Sequence, residues 1–213
     1  MTEEKGLDAT PGSAPEAFEA GGPAPEAGPV PEAEPAPLSR SVPSLASKPA
    51  LPPPSSHVEV ARTHQTVIFR VIGLGNMRAA MGLMGFSEAM LEQGYSRFAF
   101  DLTECRGLDS TFMGAMVGLA ADAAEHDGWV SVVNASEPNT ELLQIVGADK
   151  FIRMRGDLHM EPIETTRLPE VTLKPQERLE LVRRAHERLV EIDKRNEERF
   201  GSFLRQLTSD LSR

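Results

Sequence analysis

The stretch RFAFDLTECRGLDSTFMG, residues 97–114, decides the fold of this chain. Arg97–Leu102 alternates bulky apolar residues and reads as a buried strand. Thr103–Leu108 reads as a loop. Asp109 or Ser110 then caps a helix running to about His126, with Phe112, Met113, Met116, Val117, Leu119, Ala120 and Ala123 supplying its apolar face. Working outward, Thr66–Ile72 (TVIFRVI) is a β-branched strand that Gly73 and Gly75 should end. Met77–Gln93 carries apolar residues at helical spacing, with Gly94 placed to terminate it. On the other side, Asp127-Gly128 is a turn and Trp129–Asn134 a strand. Pro138–Ile145 is a short helix stopped by Gly147, and Phe151–Met154 is a short fourth strand. Strands alternating with helices predict an α/β domain: a mixed sheet of about four to five strands with helices packed on it.

The flanks differ from this core. Thirteen of the 17 prolines lie between Pro11 and Pro54, in a segment rich in Ala and Glu. Residues 1–57 bury too little apolar surface to offset chain entropy, so they read as a disordered tail. That tail is a tether, or a docking segment for an aromatic groove through its PPP at 52–54. The folded domain then spans 58–156, and 157–174 is a linker with Pro162 and Pro169. Pro175 suits a helix N-terminus, and the pattern predicts one long amphipathic helix over 175–211. Leu179, Val182, Leu189, Phe200, Phe203 and Leu207 fall near one stripe, interrupted by His186, Asp193 and Asn196 at seam positions. Such a helix can pair with a second copy, a seam Asn setting the register, or pack loosely on its own domain.

Composition excludes several classes of function. One cysteine, Cys105, permits no intrachain disulfide and no multi-cysteine metal site, and fits a reducing, cytoplasmic setting. The five histidines are scattered without ligand spacing, so no metal is expected. The opening MTEEKGLDAT is acidic and lacks a secretory apolar run. The longest uncharged apolar stretch, Thr111–Ala121, is well short of the ~20 residues that a membrane span needs. A net charge of −10 argues against general nucleic-acid binding, which requires clustered Lys and Arg.

Two stretches are candidate sites. Gly73-Leu74-Gly75-Asn76-Met77-Arg78 follows a strand like the start of a dinucleotide fingerprint, but Arg78 replaces the third small residue. A glycine turn is the simpler reading, and no cofactor is expected. Asp109-Ser110-Thr111 sits where a helix begins. Unpaired first-turn amides and the helix dipole favour anionic groups there, so a phosphoryl group on Ser110 would be tolerated while adding about −1.5 to −2 charges.

Residues Val67 to Met154 resemble a STAS domain, the module of the anti-sigma factor antagonists. The resemblance rests on Asp101-Leu102 ending a strand, Leu108-Asp109-Ser110-Thr111-Phe112-Met113-Gly114 opening a helix, Val133-Asn134 ending a strand, and Val146-Gly147-Ala148-Asp149-Lys150 after a short helix. It implies a small STAS-like α/β fold and a phosphoacceptor at Ser110, with Thr111 the second choice. It also implies a partner surface drawn from Asn76, Asp109, Ser110, Thr111, Phe112 and Met113. Two positions depart from the family pattern. Phe112 stands where the family has Gly, which sets a bulky ring beside the acceptor, and Asn76 stands where many antagonists have Asp.

The resemblance implies a phosphorylation-controlled partner switch, binding an anti-sigma factor that is also a serine kinase, with Ser110 a substrate residue. No catalytic constellation is legible in the sequence. The competing expectation is a non-enzymatic scaffold or adaptor that forms a homo-oligomer through 175–211, with Ser110 only a helix cap.

Overall fold

The computed structural model describes residues 56–156 and 163–212. The tail expected over 1–57 therefore lies outside the described residues, save for Ser56 and His57. Strands are β1 His57–Arg62, β2 Thr66–Gly75, β3 Arg97–Asp101, β4 Cys105–Leu108, β5 Trp129–Val133, β6 Arg153–Arg155 and β7 Thr166–Arg167. Helices are α1 Met77–Glu92, α2 Ser110–Ala124, α3 Glu137–Ile145, α4 Pro175–Ile192 and α5 Arg195–Leu211, with a 3-10 turn at Ala148–Lys150.

The sheet has seven strands, against the four to five expected, in the order β6-β5-β3-β2-β1-β7, with β4 pairing the far end of β2. β2, β3, β5 and β6 run parallel, while β1 is antiparallel to both β2 and β7. It is thus the mixed α/β architecture that the alternating pattern predicts. The residues read as linker supply β7, and Leu168 is buried with its amide donating to the Val58 carbonyl at 2.8 Å.

Gly73 does not end β2, which runs on to Gly75. Its register shifts after Gly73, and the strand continues alongside β4. Gly73 has a φ of +76°, a conformation glycine adopts without penalty. A Cβ on Gly75 would lie 2.7 Å from Leu108 and 2.9 Å from Phe112. Both glycines are therefore answered by packing. Two first-turn amides of α1, of the kind a dinucleotide would need, are already bonded: Met77 N–H to Asp109 and Ala79 N–H to Asn76.

The helix-bearing face of the sheet is aromatic. Phe69 stacks on Phe100 with centroids 5.1 Å apart, and Phe112 meets Phe100 edge-on at 6.2 Å. Phe112 is thus a core residue with no exposed surface, in line with its place on the apolar face of the helix and not in the partner surface that the resemblance implies. Every residue of α2 from Thr111 to Val117 is buried. One side of α2 faces the sheet and the other is covered by α4. At the crossing, a Cβ on Gly114 would collide with the Ala185 backbone carbonyl.

The helix expected over 175–211 is broken at Asp193-Lys194, so α4 and α5 form a hairpin instead of one long rod. His186 of α4 packs edge-on against Phe200 and Phe203 of α5, at 4.9 and 5.0 Å. The result is three layers: sheet, α1 and α2, then the α4–α5 hairpin over α2.

Phe112→Ala is expected to cost about 3–5 kcal/mol in urea unfolding, the usual range for emptying a buried phenylalanine site. A loss below about 1 kcal/mol would place the ring at the surface and contradict this packing.

Candidate functional site

Two neighbouring turns, β2–α1 and β4–α2, build the site. Asp109 caps α2 by accepting from the Phe112 amide at 2.8 Å with Oδ1, and its Oδ2 accepts the first amide of α1 from Met77, also at 2.8 Å. One carboxylate therefore closes two helix N-termini, where the dipoles favour negative charge. The Asp109 amide donates to the Gly75 carbonyl at 2.8 Å, fixing the loop to the end of β2. Asn76 caps α1 through its Oδ1 on the Ala79 amide, at 3.1 Å. A neutral Asn thus serves as cap here while Asp109 carries the charge.

Asp109 is the cap, so Ser110 is not. Ser110 is the first residue of α2, half-buried, with its hydroxyl directed away from its own helix. Ser110 Oγ lies 2.9 Å from His186 Nε2 on α4. The other ring nitrogen, Nδ1, lies 2.8 Å from the Val182 carbonyl. A carbonyl can only accept, so Nδ1 carries the proton and a neutral ring must accept the Ser110 O–H at Nε2. Burial pushes the His186 imidazole below its ordinary value, against the opposing effects of the Val182 carbonyl and the Asp109 charge. The ring is neutral at pH 7.

Of the expected partner-facing residues, Asn76, Asp109 and Ser110 come together half-exposed. Thr111, Phe112 and Met113 point inward and are buried. His186 belongs to the site and was missed, because 76 residues separate it from Ser110. The pair has the form of a nucleophile–base hydrogen bond. Its base, however, is only 4% exposed and held between two phenylalanines, so a substrate atom could reach it only by displacing α4. Among the described residues, no cluster of three or more His, Cys, Asp or Glu is arranged to hold a metal ion. Cys105 is buried, and burial raises its thiol pKa, as expected of an unreactive cysteine.

The other motif residues meet beneath and beside this site. Asp101 is buried and accepts from the Thr103 hydroxyl at 2.6 Å, the Thr103 amide at 3.1 Å, Arg70 Nε at 3.1 Å and Asn134 Nδ2 at 3.4 Å. Burial raises its carboxyl pKa, but these donors outweigh that and hold it below the usual carboxylate value. The loop Val146–Lys150 receives the corner between α4 and α5. Asn196 Nδ2 donates to the Val146 and Leu189 carbonyls at 2.9 and 2.7 Å, and Lys150 Nζ pairs with Asp193 at 3.2 Å. Hydrogen bonds from Arg195 first, and then from Lys150, keep Asp193 strongly acidic. Gly147, at φ +73°, lets Asp193 approach, since a Cβ there would lie 2.9 Å from Asp193 Oδ2.

No protein-family profile matches the chain, and no curated protein matches it either. Solved structures do. The chain is similar to SpoIIAA, an anti-sigma factor antagonist, in its unphosphorylated form, at 18% identity over 47% of this chain and 88% of that one, with a TM-score of 0.42. It is similar to the Bacillus cell-fate determinant SpoIIAA in its phosphorylated form at 18% identity, over 47% and 91%, with a TM-score of 0.40. An anti-sigma factor antagonist from Mycobacterium paratuberculosis matches at 18% identity, over 47% and 85%, with a TM-score of 0.42. Among the described residues, no helix is long and apolar enough to cross a membrane.

Acidification should act in two windows. His186 is depressed in the fold, so below about pH 6.5 the unfolded chain takes up a proton that the folded chain resists, and stability falls. Asp101 is also depressed, so its contribution is present above its ordinary carboxylate value and is lost only as the pH falls through more acidic values. Urea unfolding of His186→Leu between pH 7.5 and 5.5 is expected to show a shallower decline than wild type. An equal slope in the two proteins would show that His186 does not titrate against the fold.

Proposed function

We propose that the chain is a binding regulator of the partner-switching kind, working without catalysis of its own. In this reading Ser110 is a phosphoacceptor and the surface at Asn76, Asp109 and Ser110 engages an anti-sigma factor that is also a serine kinase, in the cytoplasm. Thr111, the second candidate acceptor, is buried and would need the helix end to open first. One observation carries the reading. Asp109 performs the capping, so the Ser110 hydroxyl is not needed by its own helix and stands at a positive helix end suited to a phosphoryl group. The motif resemblance across Asp101-Leu102, Asp109–Gly114 and Val146–Lys150 supports the same assignment.

The scaffold alternative meets a physical obstacle. Leu181, Ala185, His186 and Leu189 of α4 are buried within this chain, so an oligomer through 175–211 would have to use other residues.

Intact mass with site mapping, on protein isolated from its own cells under growth and stress, tests the proposal. A phosphoryl group on Ser110 that disappears in Ser110→Ala is the expected result. An unmodified Ser110 under every condition would overturn it.

A further inference from the structure

The strongest unexplained feature of the molecule is what lies on top of Ser110. The hydroxyl does not face open solvent but a neutral imidazole on the chain's own C-terminal hairpin, 2.9 Å away. That hairpin is held at three points. Its middle rests on Ser110 and on Gly114, where the two helix backbones touch. Arg188 reaches Asp122 on α2 at 3.7 Å. Its corner is bonded to Val146 and Lys150 through Asn196 and Asp193. Asn196 is fully buried, and Asp193 and His186 nearly so. These are the polar residues that interrupt the apolar stripe of 175–211, and each is used to dock the hairpin.

We infer that the α4–α5 hairpin is the chain's own reader of Ser110: docked while Ser110 carries a hydroxyl, and released when it carries a phosphoryl group. This rests on Ser110 being the acceptor, as proposed above, and adds the element that responds to it. The covalent step is phosphoryl transfer from a nucleoside triphosphate. The bond from the γ-phosphorus to the leaving diphosphate breaks, the Oγ–P bond forms, and the hydroxyl proton passes to a base of the kinase or to water.

Three effects set the direction. The phosphorus would occupy the place of the hydroxyl hydrogen, with three oxygens around it, in a gap that holds only a hydrogen bond. The Nε2 lone pair that accepts from Ser110 would face an anion instead of a donor, and the ring cannot retreat because Phe200 and Phe203 pack on it. Asp109, one residue earlier, already places a carboxylate at the first amides of α1 and α2, so a phosphoryl group would add a second negative charge beside the covered gap. The domain side still offers the N-terminal dipole of α2, which favours an anion even with Asp109 as its cap. The phosphate is therefore tolerated by the sheet-and-helix domain and rejected by the hairpin. Release would bare Ser110, the Gly114 face of α2 and the buried residues of α4 together. Phosphorylation would then expose a surface as well as charge one.

Phosphoserine installed at position 110 during translation, in the full chain, gives the direct test by hydrogen exchange. Amides of 175–211 are expected to exchange about tenfold faster or more than in the unmodified chain, while those of β3 and β5 keep their protection. Ser110→Ala should leave the hairpin protected. Asp193→Ala combined with Asn196→Ala should loosen it without phosphate, giving the reference for an open hairpin. Unchanged protection of 175–211 in the phosphoserine chain would overturn the inference, since the phosphate would then fit beneath a docked hairpin, paired to a protonated His186. Loss of protection in β3 and β5 as well would also overturn it, because the response must be confined to the hairpin. The outcome does not depend on a kinase. Absence of phosphate in cells would defeat the functional proposal on which this one rests, whereas the exchange experiment tests the hairpin's response by itself.

Discussion

Gly114 allows two helix backbones to touch, and the arrangement of the site depends on that contact. With no side chain at 114, the Ala185 carbonyl of α4 lies directly against α2. That approach brings His186, the next residue, within hydrogen-bonding distance of Ser110 one helical turn before Gly114. It also buries α2 on both sides, so a helix that would otherwise be the outer layer of a small α/β domain becomes its middle layer. A larger residue at 114 would push α4 outward and separate the Ser110–His186 pair, even though neither residue had been changed.

The electrostatics follow the same division. Negative charge at the junction is carried by Asp109, which spends it on the amides of two helices. Ser110 and His186 form a neutral pair beside it, in a setting where burial favours the uncharged ring. A neutral hydrogen bond contributes modestly to stability when intact and is costly when one buried partner changes its charge. A contact of this kind suits a switch better than an ion pair would.

The central elements were legible in the sequence because their patterns are long and strongly apolar. β3, β5, α1 and α2 lie close to where spacing and caps place them. The missed strands share a physical reason. β1 (HVEVAR) alternates apolar with charged residues beside the proline-rich flank, β4 (CRGL) is four residues long with a glycine inside it, and β7 is two residues held by pairing with β1. None of these carries enough local signal to stand without its partner. The break at Asp193-Lys194 was hidden because both residues are tolerated in helices. The contacts at the end of α4 are largely tertiary: Asp193 turns to Lys150, and Asn196 to the Val146 carbonyl. One signal was present and under-read. The stretch Thr111–Ala121 is apolar all round, which calls for cover on both sides of a helix, and the polar interruptions His186, Asp193 and Asn196 mark the element that provides it.

The central claim is that Ser110 is bonded to His186 of the chain's own α4, and the tautomer of that ring tests it most directly. Long-range 15N correlation spectra of the histidines at pH 7.5 should show His186 as the Nδ1–H tautomer, with Nε2 accepting a hydrogen bond in the wild type and losing that signature in Ser110→Ala. An Nε2–H tautomer, or a His186 signal that titrates like a free imidazole and ignores the Ser110 change, would show that the hairpin does not cover Ser110 and would contradict the account.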